Sequence, residues 1–346
     1  MFQFCFVLRL EFKSVSVYLP PAANVALEVL RNTESNLTTT QRHVSSGLRV
    51  QTAKDNATYW EIATKTRTDV GALSAVQDAL GLAHATVEVA STSVDSAADI
   101  VSQIKAKLVS AMESSVDKTK VNAEIGQLKD QLRSVGSSAS FNGVNWVQLS
   151  GDDDPANPRE VPASFIRASN GTVSIGSLTY AGDKDDTTIT PDAARYLIDN
   201  LSNGTGGHGV LTSAAFATSV GAAQSYVMIS SDGGDTSGQV EISMDNATTN
   251  GAITDMINVT EAMLSQLTTI GSAFGSMQSR VTLQSDFAQS LSDSLTSGVG
   301  KLVDADMEVE STRLLALQTQ EQIGRQSLSI VNASYAMVNQ LFQNIQ

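Results

Sequence analysis

Apolar residues recur every seventh position over two long stretches of the chain. Counting from Leu73 gives Leu80, Val87, Val94, Val101 and Leu108, every one aliphatic, and three residues after each stand Val76, Ala83, Ala90, Ala97, Ile104 and Ala111. An unbroken seam of this length predicts a long helix with knobs-into-holes packing. At 1.5 Å per residue, roughly forty residues of it make about 60 Å of helix. Toward the other end, Met256, Met263, Ile270, Met277, Gln284 and Leu291 recur in sevens, followed four residues later by Thr260, Leu267, Phe274, Val281, Ala288 and Leu295. The large side chains of this second seam, Met263, Leu267, Ile270, Phe274, Met277 and Val281, match the small ones of the first, as expected if the two stretches pack together. Val121, Ile125, Leu128, Leu132 and Val135 mark a shorter helix that completes a bundle.

The outermost stretches are thinner amphipaths. Leu30, Leu37 and Val44 mark the first; Leu314, Leu317, Leu328, Val331, Tyr335, Val338 and Phe342 mark the last, whose stripe is interrupted by Glu321 and Gly324. So little apolar surface stabilises an isolated helix poorly, which predicts that these ends order on meeting other copies or a partner. Between the two seams the helical period is lost. Ala163–Ala168, Thr172–Ile175 and Gln239–Ser243 are strand-length segments bounded by Asn-Gly, Gly-Asp and Asp-Gly-Gly turns, and 202–209 is a loop. The fold class expected is therefore mainly α: a long antiparallel coiled-coil bundle built from both arms, with a small β-rich or α+β domain inserted between them and carried at its tip.

Proline and charge divide the chain in the same way. The six prolines are Pro20, Pro21, Pro155, Pro158, Pro162 and Pro191, so 22–154 and 192–346 contain none. Residues 151–250 hold thirteen Asp/Glu against four Lys/Arg, placing −9 of the net −14 in less than a third of the chain. The expected divisions are a non-core extension at 1–13, terminal helices at 14–60 and 300–346, a coiled-coil region at 61–150 and 251–299, and a surface-exposed insert at 151–250.

Chemistry is sparse. An acidic chain without a Lys/Arg stripe is a poor nucleic-acid binder, and no apolar run approaches the length that crosses a bilayer. The single cysteine, Cys5, supports neither a disulfide framework nor a cysteine zinc site, and His43, His84 and His208 lack metal-ligand spacing. The acidic runs Asp152–Asp154 and Asp183, Asp185 and Asp186 lack the spaced ligand pattern of a calcium loop and read as solvated surface. His43 reads as a packed or solvated histidine. No catalytic, metal or cofactor residues are assigned.

Two segments carry a specific resemblance. Residues 42–63, RHVSSGLRVQTAKDNATYWEIA, resemble the signature of bacterial flagellins, in which a helix ends at Ser-Ser-Gly-Leu-Arg. The stretch 297–342 is independently similar to the flagellin C-terminal region through its Leu-Val-Asp-Ala-Asp-Met, Glu-Ser-Thr-Arg and Ala-Leu-Gln-Thr-Gln runs, and 73–149 also fits. The resemblance covers roughly 24–150 and 252–346, and KDNATYW points to flagellins of alphaproteobacteria.

That resemblance implies an extracellular, non-enzymatic subunit that self-assembles into the flagellar filament for swimming motility. The terminal helices would form an inner tube, the coiled helices an outer tube, and the insert would face solvent. It implies export through the flagellar type III apparatus, and as partners other flagellin copies, hook-associated and cap proteins and an export chaperone, with no nucleic acid and no membrane insertion. By the same resemblance Ser45, Gly47, Leu48, Arg49, Lys54, Asp55 and Asn56 form a turn that secures the filament wall and that hosts recognise in many flagellins. His43 departs from the Arg common at its position. The segment matching the one that animal toll-like receptors detect reads Ile104-Lys105-Ala106-Lys107-Leu108-Val109 and lacks a clear Arg-containing motif. Leu328, Val331, Tyr335, Val338 and Phe342 become the expected assembly and chaperone contact. The competing readings are a hook–filament junction protein and a flagellin-like surface polysaccharide-binding protein.

Overall fold

The computed structural model describes residues 21–151, 159–168, 170–180, 195–201, 207–231 and 238–343. Cys5 and both acidic runs lie outside them. Among the described residues six helices dominate: α1 (Pro21–Ser46), α2 (Ala57–Ser110), α3 (Lys118–Ser138), the short α4 (Ala215–Ser219), α5 (Asn250–Val303) and α6 (Met307–Gln343). The strands are β1 (Ser140–Phe141), β2 (Val144–Asn145), β3 (Gln148–Gly151), β4 (Arg159–Arg167), β5 (Val173–Tyr180), β6 (Ile198–Leu201), β7 (Ser225–Val227) and β8 (Gln239–Glu241). The chain divides into two compact units, one made of the residues up to Arg67 with those from Thr296 onward, the other of Thr68–Leu295.

In the Thr68–Leu295 unit, α2 and α5 run antiparallel along the heptad seam. Lys105 pairs with Glu261, and Gln77 Nε2 donates to Gln289 Oε1 at 3.1 Å. Leu73, Leu80, Val87, Val94, Val101 and Leu108 are buried, as are Met263, Leu267, Ile270, Phe274, Met277 and Val281. The seam thins beyond Val281: Ala288 is still buried, whereas Gln284, Leu291 and Leu295 are only half-buried. α3 adds Val121, Ile125 and Leu132. Its start is fixed by Asp117, whose side chain accepts the Thr119 N–H at 3.1 Å and so satisfies a donor that the first helical turn leaves unpaired.

The segment between α3 and α5 has no single sheet among the described residues. It consists of two-stranded pairs: β1–β2 and β4–β5 antiparallel, β3–β6 and β7–β8 parallel. At the tight β1–β2 hairpin Asn142 (φ 51°) and Gly143 (φ 80°) both adopt the left-handed backbone that such a two-residue turn requires. The longer β4–β5 hairpin is bulged between Pro162 and Ser164.

The structure differs from the expectation of an insert carried at the tip of the helices. The β4–β5 hairpin folds back along them: Tyr180 stacks on Phe274 with ring centroids 4.6 Å apart, and at the hairpin's far end the Arg167 guanidinium forks onto both carboxylate oxygens of Asp69, Nε donating at 2.9 and 3.0 Å. Ala163, Leu178, Tyr180, Leu197, Phe216, Met228 and Ile242 therefore share one hydrophobic cluster with α2, α3 and α5. The heptad count missed this because Phe274 fills a seam position and simultaneously offers its ring to the hairpin. Part of the expected loop at 202–209 is also interior, since His208 and Gly209 are buried against β6, where the Asp199 carboxylate accepts the His208 N–H at 3.0 Å.

A partly buried charge cluster ties β8 to α3. Glu241 receives Lys129 Nζ and Arg133 Nη2, each at 2.8 Å, and the Ser230 N–H and hydroxyl, each at 2.7 Å. Burial alone would raise this carboxyl, but the Lys129 and Ser230 hydrogen bonds outweigh it and hold the group down at about 2, against 4.5 for an ordinary glutamate. A carboxyl depressed on folding contributes stability above its unfolded value and loses it as pH falls from 4.5 toward 2. Urea midpoints of the full chain should fall across that window, and the fall should be shallower in Glu241→Gln; an identical pH slope in the two proteins would contradict this role.

Candidate functional site

The segment joining α1 to α2 is where conformationally restricted residues, caps and contacts between the two arms coincide. α1 stops because Gly47 turns left-handed (φ 71°), its N–H bonding the His43 carbonyl at 2.8 Å. The Ser46 hydroxyl donates to the Arg42 carbonyl at 2.8 Å and accepts the Leu48 N–H at 3.2 Å. The chain is then laid against the end of α5: the Arg49 and Val50 N–H groups both donate to Val303 O, at 2.7 and 3.1 Å, and the Ala305 N–H donates to Gly47 O at 2.9 Å. Leu48 bridges Asp304, and the Arg49 guanidinium donates to Leu302 O at 2.9 Å. Beneath these bonds Val50, Ala63, Val299 and Val303 form a small core with Leu48 at its edge.

Asp55 folds the remainder of the turn. One of its oxygens, Oδ2, accepts the Gln51 N–H, the Thr52 N–H and the Thr52 hydroxyl at 3.2, 2.9 and 3.0 Å, and Arg42 stands 3.8 Å from the other. The backbone and hydroxyl bonds from Thr52 hold the Asp55 carboxyl below its ordinary range. Asn56 caps α2, its Oδ1 accepting the Tyr59 N–H at 3.0 Å. Of the seven residues that the sequence singled out, the structure thus brings Gly47, Leu48, Arg49, Asp55 and Asn56 into one bonded turn, while Ser45 and Lys54 stand exposed on its surface.

Sequence reasoning missed the other side of the junction. Asp306 caps α6 by accepting the Glu308 and Val309 N–H groups at 3.0 and 3.2 Å. One turn on, Glu310 reaches His43 across the two helices, its Oε1 3.1 Å from Nδ1. Asp306 has a readable signal, an acid directly before a helical run; the His43–Glu310 pairing has none, because the two residues lie 267 positions apart.

Beyond the junction α1 and α6 pack antiparallel but cover each other incompletely. Gly324 allows close approach, since a Cβ there would lie 3.3 Å from Leu30 Cδ1. Ala26, Val29, Thr33, Gln320, Ile323, Gly324 and Ser327 line an open groove of about 380 Å³. Leu328 and Val331 are half-buried; of Tyr335, Val338 and Phe342 only the helical backbone is described. Val25, Leu315, Ile323, Ile330 and Met337 are each more than half exposed, reaching 69% at Ile330. No helix among the described residues is long and apolar enough to cross a membrane.

Comparison with known proteins places this architecture. The family model of the bacterial flagellin N-terminal helical region matches residues 21–152, and that of the C-terminal helical region matches 257–342. The chain is 44% identical to flagellin C of Rhizobium meliloti strain 1021 over 95% of its own length and 99% of that protein. It is 38% identical to flagellin A of the same strain, covering 95% of this chain and 100% of the relative, and 35% identical to a flagellin of Brucella melitensis biotype 1, covering 95% and 99%. Helical regions matched at both ends in order, with relatives aligned along almost their whole length, mean that the chain belongs to the bacterial flagellin family, of the alphaproteobacterial type.

Proposed function

We propose that this chain, a structural subunit of the extracellular flagellar filament, completes its terminal helices only by assembling with other copies. The observation that carries the reading is the contrast in burial between the two helix pairs. The α2–α5 seam buries Leu80, Val87, Val94, Val101, Leu108, Met263, Leu267, Ile270, Phe274, Met277 and Val281 within one chain, whereas α1 and α6 leave Val25, Val29, Leu315, Ile323, Ile330 and Met337 in water. Exposed apolar side chains repeated along a helix pair gain free energy when neighbouring copies cover them. In this reading 14–60 and 300–346 form the inner tube, 61–150 and 251–299 the outer tube, and 151–250 the solvent face. The turn containing Ser45, Gly47, Leu48, Arg49, Lys54, Asp55 and Asn56 secures the wall where the arms meet.

The exposed Ile330 and Met337 on the same stretch of α6 support a chaperone contact around Leu328, Val331, Tyr335, Val338 and Phe342 before assembly, with export through the flagellar type III apparatus and growth beside hook-associated and cap proteins. Limited proteolysis tests the reading. Monomers should lose both ends before the Thr68–Leu295 unit is cut, and assembled filaments should protect those ends. Equal resistance along the monomer would contradict it.

A further inference from the structure

Two edges of the α2–α5 pair carry apolar side chains that the described residues leave in water. Leu82 is 50% exposed on α2, and on α5 Leu283 and Phe287, one turn apart, are 68% and 60% exposed. Each leucine follows a buried seam position by two residues, Leu80 on α2 and Val281 on α5. Two residues turn a helix by about 200°, so both leucines point away from the seam, out of opposite sides of the pair. They also stand at one height. Gln77 meets Gln289 and Lys105 meets Glu261, 28 residues away on each helix, and that register sets Leu82 level with Gln284, next to Leu283.

The α2 edge is open around Leu82. Gly81 stands beside it in the middle of a helix, where glycine weakens the structure, and a Cβ built there would have no described atom within 4 Å. Packing inside the chain thus gives no reason for the missing side chain, whereas an approaching helix would gain room from it. Asp78 near Leu82, and Arg280 and Asp286 near Leu283, are exposed and give both edges the polar rim usual around an apolar contact.

Position and size together choose the occupant. A subunit of an open polymer presents two different surfaces that fit one another, because a head-to-tail contact that does not close leaves one of each free. A second copy set beside the first in the same orientation brings its α5 edge against the first copy's α2 edge, leucine to leucine at one height. Three partly exposed side chains offer on the order of 300 Å², far below the roughly 1,200 Å² that a stable pair buries. Such a contact does not hold two copies together alone; it adds to others when many copies repeat it.

We propose that α2 of one copy packs along α5 of the next through Leu82 against Leu283 and Phe287, a side-by-side contact between coiled-coil regions. The contact rests on the filament reading and deepens it, by naming the outward residues of the α2–α5 pair as two halves of one repeated joint.

The test uses full chains carrying Cys5→Ser, so that an introduced cysteine is the only one. Leu82→Cys chains and Leu283→Cys chains are seeded separately and as an equal mixture, then treated with a short bismaleimide that joins neighbouring thiols. Mixed filaments should yield covalent dimers, whereas filaments of either chain alone and unseeded mixtures should not. Cysteine chains that do not polymerise alone are diluted into excess Cys5→Ser carrier, where the same comparison applies. Mixed filaments without covalent dimers, or single-variant filaments with as many, would overturn the contact. Leu283→Ser gives an independent reading: its monomer should melt like the wild type, while the protein left soluble after seeding should rise roughly tenfold, as expected when a partly covered leucine is lost from a joint. An unchanged soluble level would also overturn the contact. Wild-type chains that never polymerise would instead sink the filament reading, and the contact with it.

Discussion

A chain ending at Val309 is expected to form no filaments while its α2–α5 seam melts at an unchanged temperature. The truncation removes Glu310 and nearly all of α6, so α1 loses its antiparallel partner and the surfaces that neighbouring copies would cover are gone. The seam keeps Leu80 through Leu108 facing Met256 through Val281, all of it inside the Thr68–Leu295 unit. Sedimentation after seeding reads assembly, and circular dichroism reads the melt. Normal filaments from the truncated chain would remove the terminal helices from the wall.

The largest loss of monomer stability is expected from Phe274→Ala. Phe274 is fully buried, fills a heptad position of α5 and stacks against Tyr180, so its removal opens a cavity in the seam and withdraws the platform on which the β4–β5 hairpin lies. Buried Phe→Ala substitutions cost about 3–5 kcal/mol, because the lost transfer free energy is compounded by a cavity that the surroundings fill only partly. The control is Leu283→Ala on the same helix, where the side chain is 68% exposed and the expected change stays within about 0.5 kcal/mol. Urea titration of both variants measures the difference. A loss below about 1 kcal/mol for Phe274→Ala would show that the hairpin and the seam are not one core.

How much could be read beforehand follows from the range of the interactions. The α2–α5 seam was legible because its period is local: each buried position announces itself seven residues from the last, and the small residues of one helix facing the large ones of the other set the pairing. The end of α1 was legible too, since a left-handed Gly47 after two serines is a local stop signal. The course of the β4–β5 hairpin was not. Arg167 and Asp69 lie 98 positions apart, and nothing in either segment says that one reaches the other.

The junction falls between these cases. Gly47, Asp55 and Asn56 could be singled out from their turn and cap chemistry together with the resemblance around them. Their attachment to Leu302–Ala305 depends on backbone groups, which every residue carries and no sequence pattern marks. His43 read as a packed or solvated histidine, and nothing local to it announces the Glu310 carboxylate 3.1 Å from its ring.

The central claim, that this chain is a polymer subunit whose ends are completed by its neighbours, is tested most directly by seeding the purified full-length protein with salt and imaging the product by electron microscopy. The account predicts long filaments of flagellar width with α1 and α6 innermost and the residues between α3 and α5 outermost. Persistent monomers at high concentration, or filaments with that order reversed, would contradict it.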